Sequence, residues 1–243
     1  MADYSYIGVG KVYMREYGAS AGLVEIGNCT ALEFAVQEET KELRDYTSTG
    51  GGVLNEVRRI TGVEIRLTMA EYSPDNLARA LYGTTASEVA GTVTDESVTA
   101  YKGGLVRLQY PNPASVVVTD AAGTTTYTEG SDYEVRPGGI YILEGGAITD
   151  GEALLVDYSY GALDVIQALA ASAGEWELVF EGLNEARSGK PVIVDVWRCR
   201  FGAAANLSLI GDDFATLELT GKVLKDASKT SGLSQFFRVQ MVQ

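Results

Sequence analysis

The sequence LEFAVQE at residues 32–38 alternates apolar with polar side chains, and VEIRLTM at residues 63–69 follows the same pattern. In each segment the apolar residues fall on one face and the polar residues on the other, which is the period of a β-strand. An antiparallel sheet with one face on a core and the other face in water produces this alternation. The two segments therefore predict half-buried antiparallel strands, and they decide the fold class.

A long polar segment, Thr40–Arg59, separates the two strands, and we expect it to form an oversized loop. Hairpin loops usually need about two to five residues, and loops beyond about 12–15 residues are uncommon unless they are functional or disordered. Three consecutive glycines, residues 50–52, would leave the tip mobile. The sequence leaves two interpretations open: the loop docks on a neighbouring subunit, or it is a tip without a function.

The composition is that of a globular protein rich in strands and turns. Hydrophobic residues make up 46% of the 243 residues, and the chain holds 28 Gly and 14 Tyr. The net charge is −14, so the surface repels nucleic acid rather than gripping it. The chain has no histidine, which removes the commonest general base and the commonest metal ligand.

The chain shows no sign of a membrane segment or a disulfide framework. No apolar run approaches the roughly 20 residues that span a bilayer, and the N-terminal residues do not resemble a signal peptide. We therefore expect no membrane anchor and a protein that is made and used in a cytoplasm. Cys29 and Cys199 are the only cysteines, and we expect both to be free thiols.

Residues 73–83 give the clearest helical signal. Ser73 is a natural N-cap, Pro74 suits the first turn, and Asp75 complements the helix dipole. Gly83 would end the helix in a left-handed conformation. We expect this short helix to pack on one sheet.

The segment 95–162 differs in character from the rest of the chain. Short apolar strands alternate there with turn signals, at a spacing typical of a small antiparallel sandwich. Three basic residues stand against ten acidic residues between 92 and 162. We therefore expect three parts: residues 1–94 as the first part of a main body, 95–162 as an inserted β-module, and 163–243 as the second part of that body.

No catalytic constellation is visible. The adjacent pair Asp212 and Asp213 is typical of a solvated turn, and Glu175, Glu177 and Glu181 are typical of the wet face of a strand. The serines have no histidine to activate them. We expect a protein that is not an enzyme, with no catalytic residue, no cofactor and no metal.

Two segments resemble the tail tube proteins of long-tailed, siphovirus-type bacteriophages. They are ETKELRDYTSTGGGVLNEVRRITGVEIRLTMAEYSPDNLARALYG at residues 39–83 and WELVFEGLNEARSGKPVIVDVWRCRFGAAANLSLIGDDFATLELTGKVLKD at residues 176–226. They follow the same order as in that family and cover about 100 of the 243 residues. Phrases such as VVTDAAGTTTYTEGSDYEV, within residues 95–162, resemble β-modules of phage structural proteins.

The resemblance implies a mainly β fold: a tail-tube-type antiparallel β-sandwich with one flanking α-helix, here with an inserted small β-sandwich-like module on its outer surface. In that family six copies form a ring, each copy gives four strands to an inner barrel, and rings stack into a tube that conducts DNA. The resemblance implies a virion location, with assembly in the host cytoplasm. It also implies that the partners are further copies, a tape measure protein, a tail terminator and a distal tail protein. DNA would only pass through, without specific binding.

The resemblance also implies two sets of site residues. The strands that border the long loop, with those near 192–203 and 213–225, would line the channel, and the lumen candidates are Glu33, Gln37, Glu64, Arg66, Thr68, Glu218 and Thr220. A net-acidic wall would repel the phosphates of DNA. The loop itself would reach the adjacent ring through Leu43, Arg44, Asp45, Tyr46, Val53, Leu54 and Arg58.

Two other functions remain open on the sequence. A tail terminator or a baseplate-proximal ring protein would share the fold but form a single ring and stop. A carbohydrate-binding β-protein would use Trp176 or Trp197 as the platform for a sugar ring.

Overall fold

The computed structural model describes residues 4–47, 49–230 and 232–243. The chain divides into two compact units. The main unit comprises the described residues up to Thr85 together with Ile166–Gln243, and the module is Ala86–Val165. The module is longer than the expected 95–162 because the strand Gly91–Thr99 pairs with Ala153–Tyr160 and so belongs to it.

The elements of the described residues are, in chain order, β1 (Gly8–Glu16), β2 (Val24–Glu25), β3 (Cys29–Arg44), β4 (Val53–Met69), α1 (Pro74–Ala80), β5 (Thr84–Glu88), β6 (Gly91–Thr99), β7 (Leu105–Arg107), β8 (Ala114–Asp120), β9 (Thr126–Tyr127), β10 (Tyr133–Arg136), β11 (Gly139–Ile142), β12 (Ala153–Tyr160), β13 (Leu163–Gln167), β14 (Glu175–Asn184), a short 3-10 helix (Glu185–Arg187), β15 (Lys190–Phe201), β16 (Leu217–Val223) and β17 (Phe237–Met241).

The main unit is one antiparallel sheet of order β2-β1-β14-β15-β16-β4-β3, with β17 on β15. Strand β15 changes partner along its length: Val192–Val196 pairs with β17, and Cys199–Phe201 pairs with β16. The inner sides of β1, β14 and β15 share one core with those of β3, β4 and β16. The sheet therefore closes on itself as a β-sandwich.

The alternation in residues 63–69 places the core face as the sequence predicts. Val63, Ile65, Leu67 and Met69 are buried, and the residues between them face outward. On β16, Leu217, Leu219 and Val223 are buried in the same core. These buried side chains fix the inner face of β4 and β16, so the polar residues between them face outward.

The expected loop at Thr40–Arg59 is wrong in its extent, because most of it is strand. β3 and β4 continue past the body as a two-stranded ribbon, paired from Glu38 with Ile60 to Arg44 with Val53. The turn is closed where the Asp45 amide donates to the Gly52 carbonyl at 2.9 Å. Ser48, which falls in the expected loop, lies outside the described residues. Backbone pairing, which needs no buried face, makes the segment a ribbon.

Helix α1 begins as the sequence predicts and ends differently. The Ser73 side chain accepts a hydrogen bond from the Asn76 amide, with Pro74 in the first turn. The left-handed residue after the helix is Tyr82, at φ 49°, and not Gly83. The Tyr82 hydroxyl donates to the Phe201 carbonyl at 2.8 Å, which holds this conformation. Gly83 is needed for space, because a Cβ there would lie 2.7 Å from the Gln167 carbonyl oxygen.

The module has its own two sheets, of order β10-β11-β7 and β6-β12-β8-β9. Its buried side chains, among them Val118, Ile140, Leu154 and Val156, form a core that is separate from that of the main unit. Two further strands, β5 and β13, pair with each other and connect the module to the main unit in sequence. Residues 84–88 and 91–94, expected as part of the main body, are therefore strands of this connection and of the module.

The protein is mainly β, with antiparallel sheets and, among the described residues, a single α-helix, which confirms the predicted fold class. None of the helices in the described ranges has the length and apolar composition needed to cross a membrane.

Candidate functional site

The outward side of β3, β4 and β16 carries a continuous polar surface, which we call the polar face. Cross-strand pairing sets Glu33 beside Arg66 and Arg66 beside Thr220, while Thr68 lies beside Glu218. The lumen candidates all lie on this face: Glu33, Gln37, Glu64, Arg66, Thr68, Glu218 and Thr220. The apolar neighbours of these residues fill the core. A shift of a strand by one residue would therefore bury the polar side chains.

An ion-pair network crosses the middle of the polar face. The Arg66 guanidinium donates to the Glu218 carboxylate, with Nε at 2.7 Å and Nη2 at 2.5 Å. Its Nη1 lies 3.9 Å from the Glu33 carboxylate. The Glu218 hydrogen bond raises the pKa of Arg66, so this side chain stays charged and paired. One cation is thus shared between carboxylates on both neighbouring strands.

The polar face is nearly balanced in charge rather than strongly acidic. Glu33, Glu64 and Glu218 stand against Arg66 and Lys222, and Lys222 lies directly across from Glu64. Sequence reasoning missed Lys222, although its spacing from Glu218 and Thr220 gives it the same outward phase. The face as a whole therefore carries one surplus negative charge per copy.

The two arginines of β15 form a separate cluster around Glu175. The Glu175 carboxylate accepts from Arg198 Nε at 2.7 Å and Nη2 at 2.9 Å, and from Arg200 Nη2 at 2.5 Å. The Arg198 hydrogen bonds, followed by those of Arg200, lower the pKa of Glu175. Neither arginine therefore presents an unpaired charge.

The ribbon beyond the body, residues 38–60, is the second functional candidate, and we call it the arm. The predicted contact residues all lie in it: Leu43 and Arg44 at the end of β3, Asp45 and Tyr46 in the turn, and Val53, Leu54 and Arg58 in β4. Every described arm residue is exposed except Asp45, which is half-buried. The arm thus has no core of its own.

Several charged arm residues are bonded within the arm. Arg58 pairs with Glu56, and Asp45 accepts from the Thr47 amide at 2.8 Å. Lys41 lies 3.6 Å from Glu39. These local bonds stabilise the ribbon. Its apolar side chains remain exposed to water.

Sequence reasoning missed two apolar residues of the arm. Val57 and Ile60 are 47% and 62% exposed, and their positions in β4 place them on opposite faces of the ribbon. Tyr46 and Leu54, which were predicted, are 86% and 67% exposed. The arm therefore offers apolar side chains on both of its faces.

The two tryptophans are already in contact with cations. The Arg79 guanidinium lies 5.4 Å from the Trp176 ring centre, beside a cavity of about 290 Å³. Lys229 and Arg238 lie 4.2 Å and 5.2 Å from the Trp197 ring centre. The Trp197 indole N–H is also bonded, to the Ser234 carbonyl at 2.9 Å. A sugar ring would have to share each tryptophan with at least one cation.

The carboxylates weighed as catalytic or metal ligands are either exposed or paired with arginines. Asp212 and Asp213 are exposed in the segment between β15 and β16, and Glu177 is paired with Arg15 at 2.6 Å. Within residues 4–47, 49–230 and 232–243, no three His, Cys, Asp or Glu side chains are grouped so as to hold a metal ion. Cys199 is buried, which raises the pKa of its thiol to about 12.

Comparison with models of protein families gives a match over residues 5–240 to the family described as Protein of unknown function UCP028589. The chain belongs to this family. The UCP028589 match runs through the main unit and the module alike, so the module lies within the family pattern. No curated protein matches the chain.

Proposed function

We propose that the chain is a structural subunit of a bacteriophage tail, in which six copies form a ring and rings stack into a tube that conducts DNA. The observation that carries this proposal is the arm: a two-stranded ribbon exposed on both faces in the single copy. The phage assignment rests on the resemblance of residues 39–83 and 176–226 to tail tube proteins.

The arm needs a partner surface. An isolated two-stranded ribbon is marginally stable in water, because it buries little apolar area against its loss of backbone entropy. Tyr46, Leu54 and Ile60 are each more than 60% exposed, which favours contact with another protein over water. A second copy in the next ring would cover these side chains.

The body offers an edge for ring closure. β3 pairs with β4 on one side, and the described residues provide no strand on its other side. A long open edge is a template for pairing with another chain, and closed barrels remove such edges. Joining β3 of each copy to the sheet of the next would close six sheets into one barrel.

The polar face suits a channel through which DNA must slide. The Arg66 guanidinium is shared between the Glu33 and Glu218 carboxylates, and Lys222 lies directly across from Glu64, so each cation has a carboxylate on a neighbouring strand. One surplus carboxylate per copy gives a ring a weakly acidic wall, which repels phosphate at short range. The module, with its own core, would lie outside the tube, because the channel must stay open.

The alternatives receive less support. A sugar platform at Trp176 or Trp197 is disfavoured, because cations already lie against both rings. A terminator or baseplate-proximal ring protein would use the same fold and differ only in forming a single ring. The experiment below separates that outcome from a tube.

The test is negative-stain electron microscopy of the concentrated protein beside a variant without the arm. Glu38 and Ile60 are cross-strand partners, so residues 39–59 can be replaced with an Asn-Gly turn between them. We expect tubes with regular cross-striations from the natural protein, and rings or single copies from a variant with unchanged circular dichroism. Isolated rings from both proteins would support the terminator function. Tubes from the variant would show that ring stacking does not need the arm.

A further inference from the structure

The segment 202–216, between β15 and β16, exposes apolar side chains in an unusual concentration. It has fifteen residues without a strand or helix, a length that is uncommon unless the segment is functional. Leu209, Ile210 and Phe214 are 77%, 96% and 98% exposed. We call residues 209–214 the tip.

The tip projects from a base that is held in place. The Ala204 amide donates to the Ala80 carbonyl at 2.7 Å, and the Tyr72 hydroxyl donates to the Ser208 carbonyl at 3.2 Å. The Gly202 amide donates to the Thr220 carbonyl at 2.7 Å. The apolar side chains of the tip are therefore presented from fixed ends, which reduces the entropy lost on docking.

An apolar groove opens elsewhere on the main unit, between the N-terminal half of β1 and the start of β3. Its volume is about 540 Å³, within the range of about 300–1,000 Å³ that ligand pockets occupy. The residues that line it include Tyr6, Val9, Leu32, Val239 and Met241, and none of its lining residues is charged. We call this cavity the groove.

We propose that the tip of one copy docks in the groove of a second copy. The groove has no charged lining residue and suits apolar side chains, and Ile210 and Phe214 are the most exposed large apolar side chains among the described residues. Burying such side chains is the main favourable term in association. Both surfaces of the proposed contact, the tip and the groove, are therefore present on every copy of the chain.

Charge complementarity supports a second copy as the occupant. Asp212 and Asp213 lie within the tip, between Ile210 and Phe214, and neither has an ion pair within the described residues. Lys190 shares its face of β15 with Val192 and Val194, which line the groove, and it too lacks an ion pair among the residues described. A tip seated in the groove would bring the two aspartates toward this lysine.

The contact is heterologous, because the tip and the groove are different surfaces of the chain. Such a contact either closes into a ring or continues as a filament. It does not rest on the tail-tube proposal, since it uses neither the arm nor the polar face and shares with that proposal only the start of β3. Its test can therefore fail or succeed independently of that proposal.

Photo-cross-linking tests the contact directly. Phe214 is replaced with p-benzoylphenylalanine, the concentrated protein is irradiated, and the cross-linked peptides are identified by mass spectrometry. We expect adducts between two copies at residues 6–12, 29–34 or 239–241. The absence of an adduct between copies, or adducts only outside these segments, would overturn the proposal.

Matched variants test its strength. Phe214→Ser and Ile210→Ser change fully exposed side chains and should not affect folding, and Leu169→Ser, at 75% exposure, is the control. We expect either tip variant to weaken self-association about tenfold or more in sedimentation velocity, and the control to change it by less than about twofold. Equal association of all variants would contradict the contact.

A charge swap separates this contact from a general loss of apolar surface. Lys190→Glu alone, and Asp212→Lys with Asp213→Lys, should each weaken self-association. Combining both changes in one chain should restore it. If self-association of the combined variant does not recover, the proposed pairing is wrong. Cross-linked adducts with recovery of self-association, but without tubes, would support this contact and contradict the tail-tube proposal.

Discussion

Asn76 is the side chain on which the junction of helix and sheet depends. It is 2% exposed, and its amide donates to the Ile26 carbonyl at 2.8 Å and to the Glu71 carbonyl at 3.3 Å. Its carbonyl oxygen accepts from Arg79 at 2.9 Å. A buried polar group of this kind stabilises only while its partners are present.

Replacing Asn76 should therefore cost stability. In Asn76→Ala the Ile26 carbonyl loses its donor and a small cavity forms, so we expect a loss of about 2–3 kcal/mol in the free energy of unfolding. Urea unfolding followed by circular dichroism measures it. The control is Asn206→Ala, at an exposed position, and equal stability of the two variants would contradict the role of Asn76.

Glu175 should make stability depend on pH in the acid range. Its pKa is lowered from the ordinary 4.5, chiefly by Arg198. A carboxylate with a lowered pKa stabilises the fold above its unfolded value, and this contribution is lost as the pH falls through the folded value. We expect Glu175→Gln to be about 1 kcal/mol less stable than the natural protein at pH 6, and the difference to shrink at pH 3.

Urea midpoints of the two proteins at both pH values measure this difference. Glu181→Gln, at an exposed position on the same strand, is the control and should change stability little at either pH. A difference for Glu175→Gln that is as large at pH 3 as at pH 6 would mean that the charge of Glu175 is not the cause.

At the scale of elements, the arm and the body it extends from should differ sharply in backbone protection. The amides of β4 between Val63 and Met69 lie in a paired strand with a buried face, whereas those between Val53 and Ile60 lie in an exposed ribbon. Exposed ribbons open with little cost in free energy. We expect fast hydrogen exchange in the arm of the dilute protein and strong protection of the same amides after assembly.

Mass spectrometry of peptic peptides measures this exchange, and peptides within Val63–Met69 serve as the internal control. Arm amides that exchange equally fast before and after assembly would contradict a role of the arm between subunits. Slow exchange in the dilute protein would mean that the arm is stable without a partner.

The sequence was sufficient for the elements that have a buried face. The alternation over residues 63–69 predicted the strand and which of its faces is buried. Ser73 and Pro74 predicted where the helix begins. The arm has no buried face, so its apolar residues follow no simple period, and a bulge at Thr61 shifts the register. Its strands depend on backbone pairing, which the residue pattern does not display.

The same reasoning explains the mixed outcome for the candidate sites. Along a strand, the residues between the buried apolar side chains face outward. The seven lumen candidates therefore share one face, as their spacing requires. The tip of residues 209–214 was missed because the sequence predicts no strand or helix there, and without a period the outward side chains cannot be assigned. Only the three-dimensional structure shows that they are exposed.

At the scale of the whole molecule, the module should be removable. Its buried side chains form a cluster that shares no residue with the main core. The chain enters and leaves the module through two strands that pair with each other, β5 and β13, so a short connection can replace it. We expect a chain with a Gly-Ser linker in place of Ala86–Val165 to unfold cooperatively and to self-assemble.

Circular dichroism with urea unfolding, and electron microscopy of the concentrated variant, test this expectation. The isolated module, Ala86–Val165, is the complementary sample and should show its own unfolding transition. A main unit that fails to fold without the module would show that the two cores depend on each other.

We propose that copies assemble into a tube with the polar face toward the channel, and cryo-electron microscopy of the concentrated protein tests this arrangement. We predict stacked sixfold rings whose channel is lined by Glu33, Arg66 and Glu218, with the arm reaching the next ring. Particles that remain single copies, or rings whose channel is lined by another face, would contradict the account.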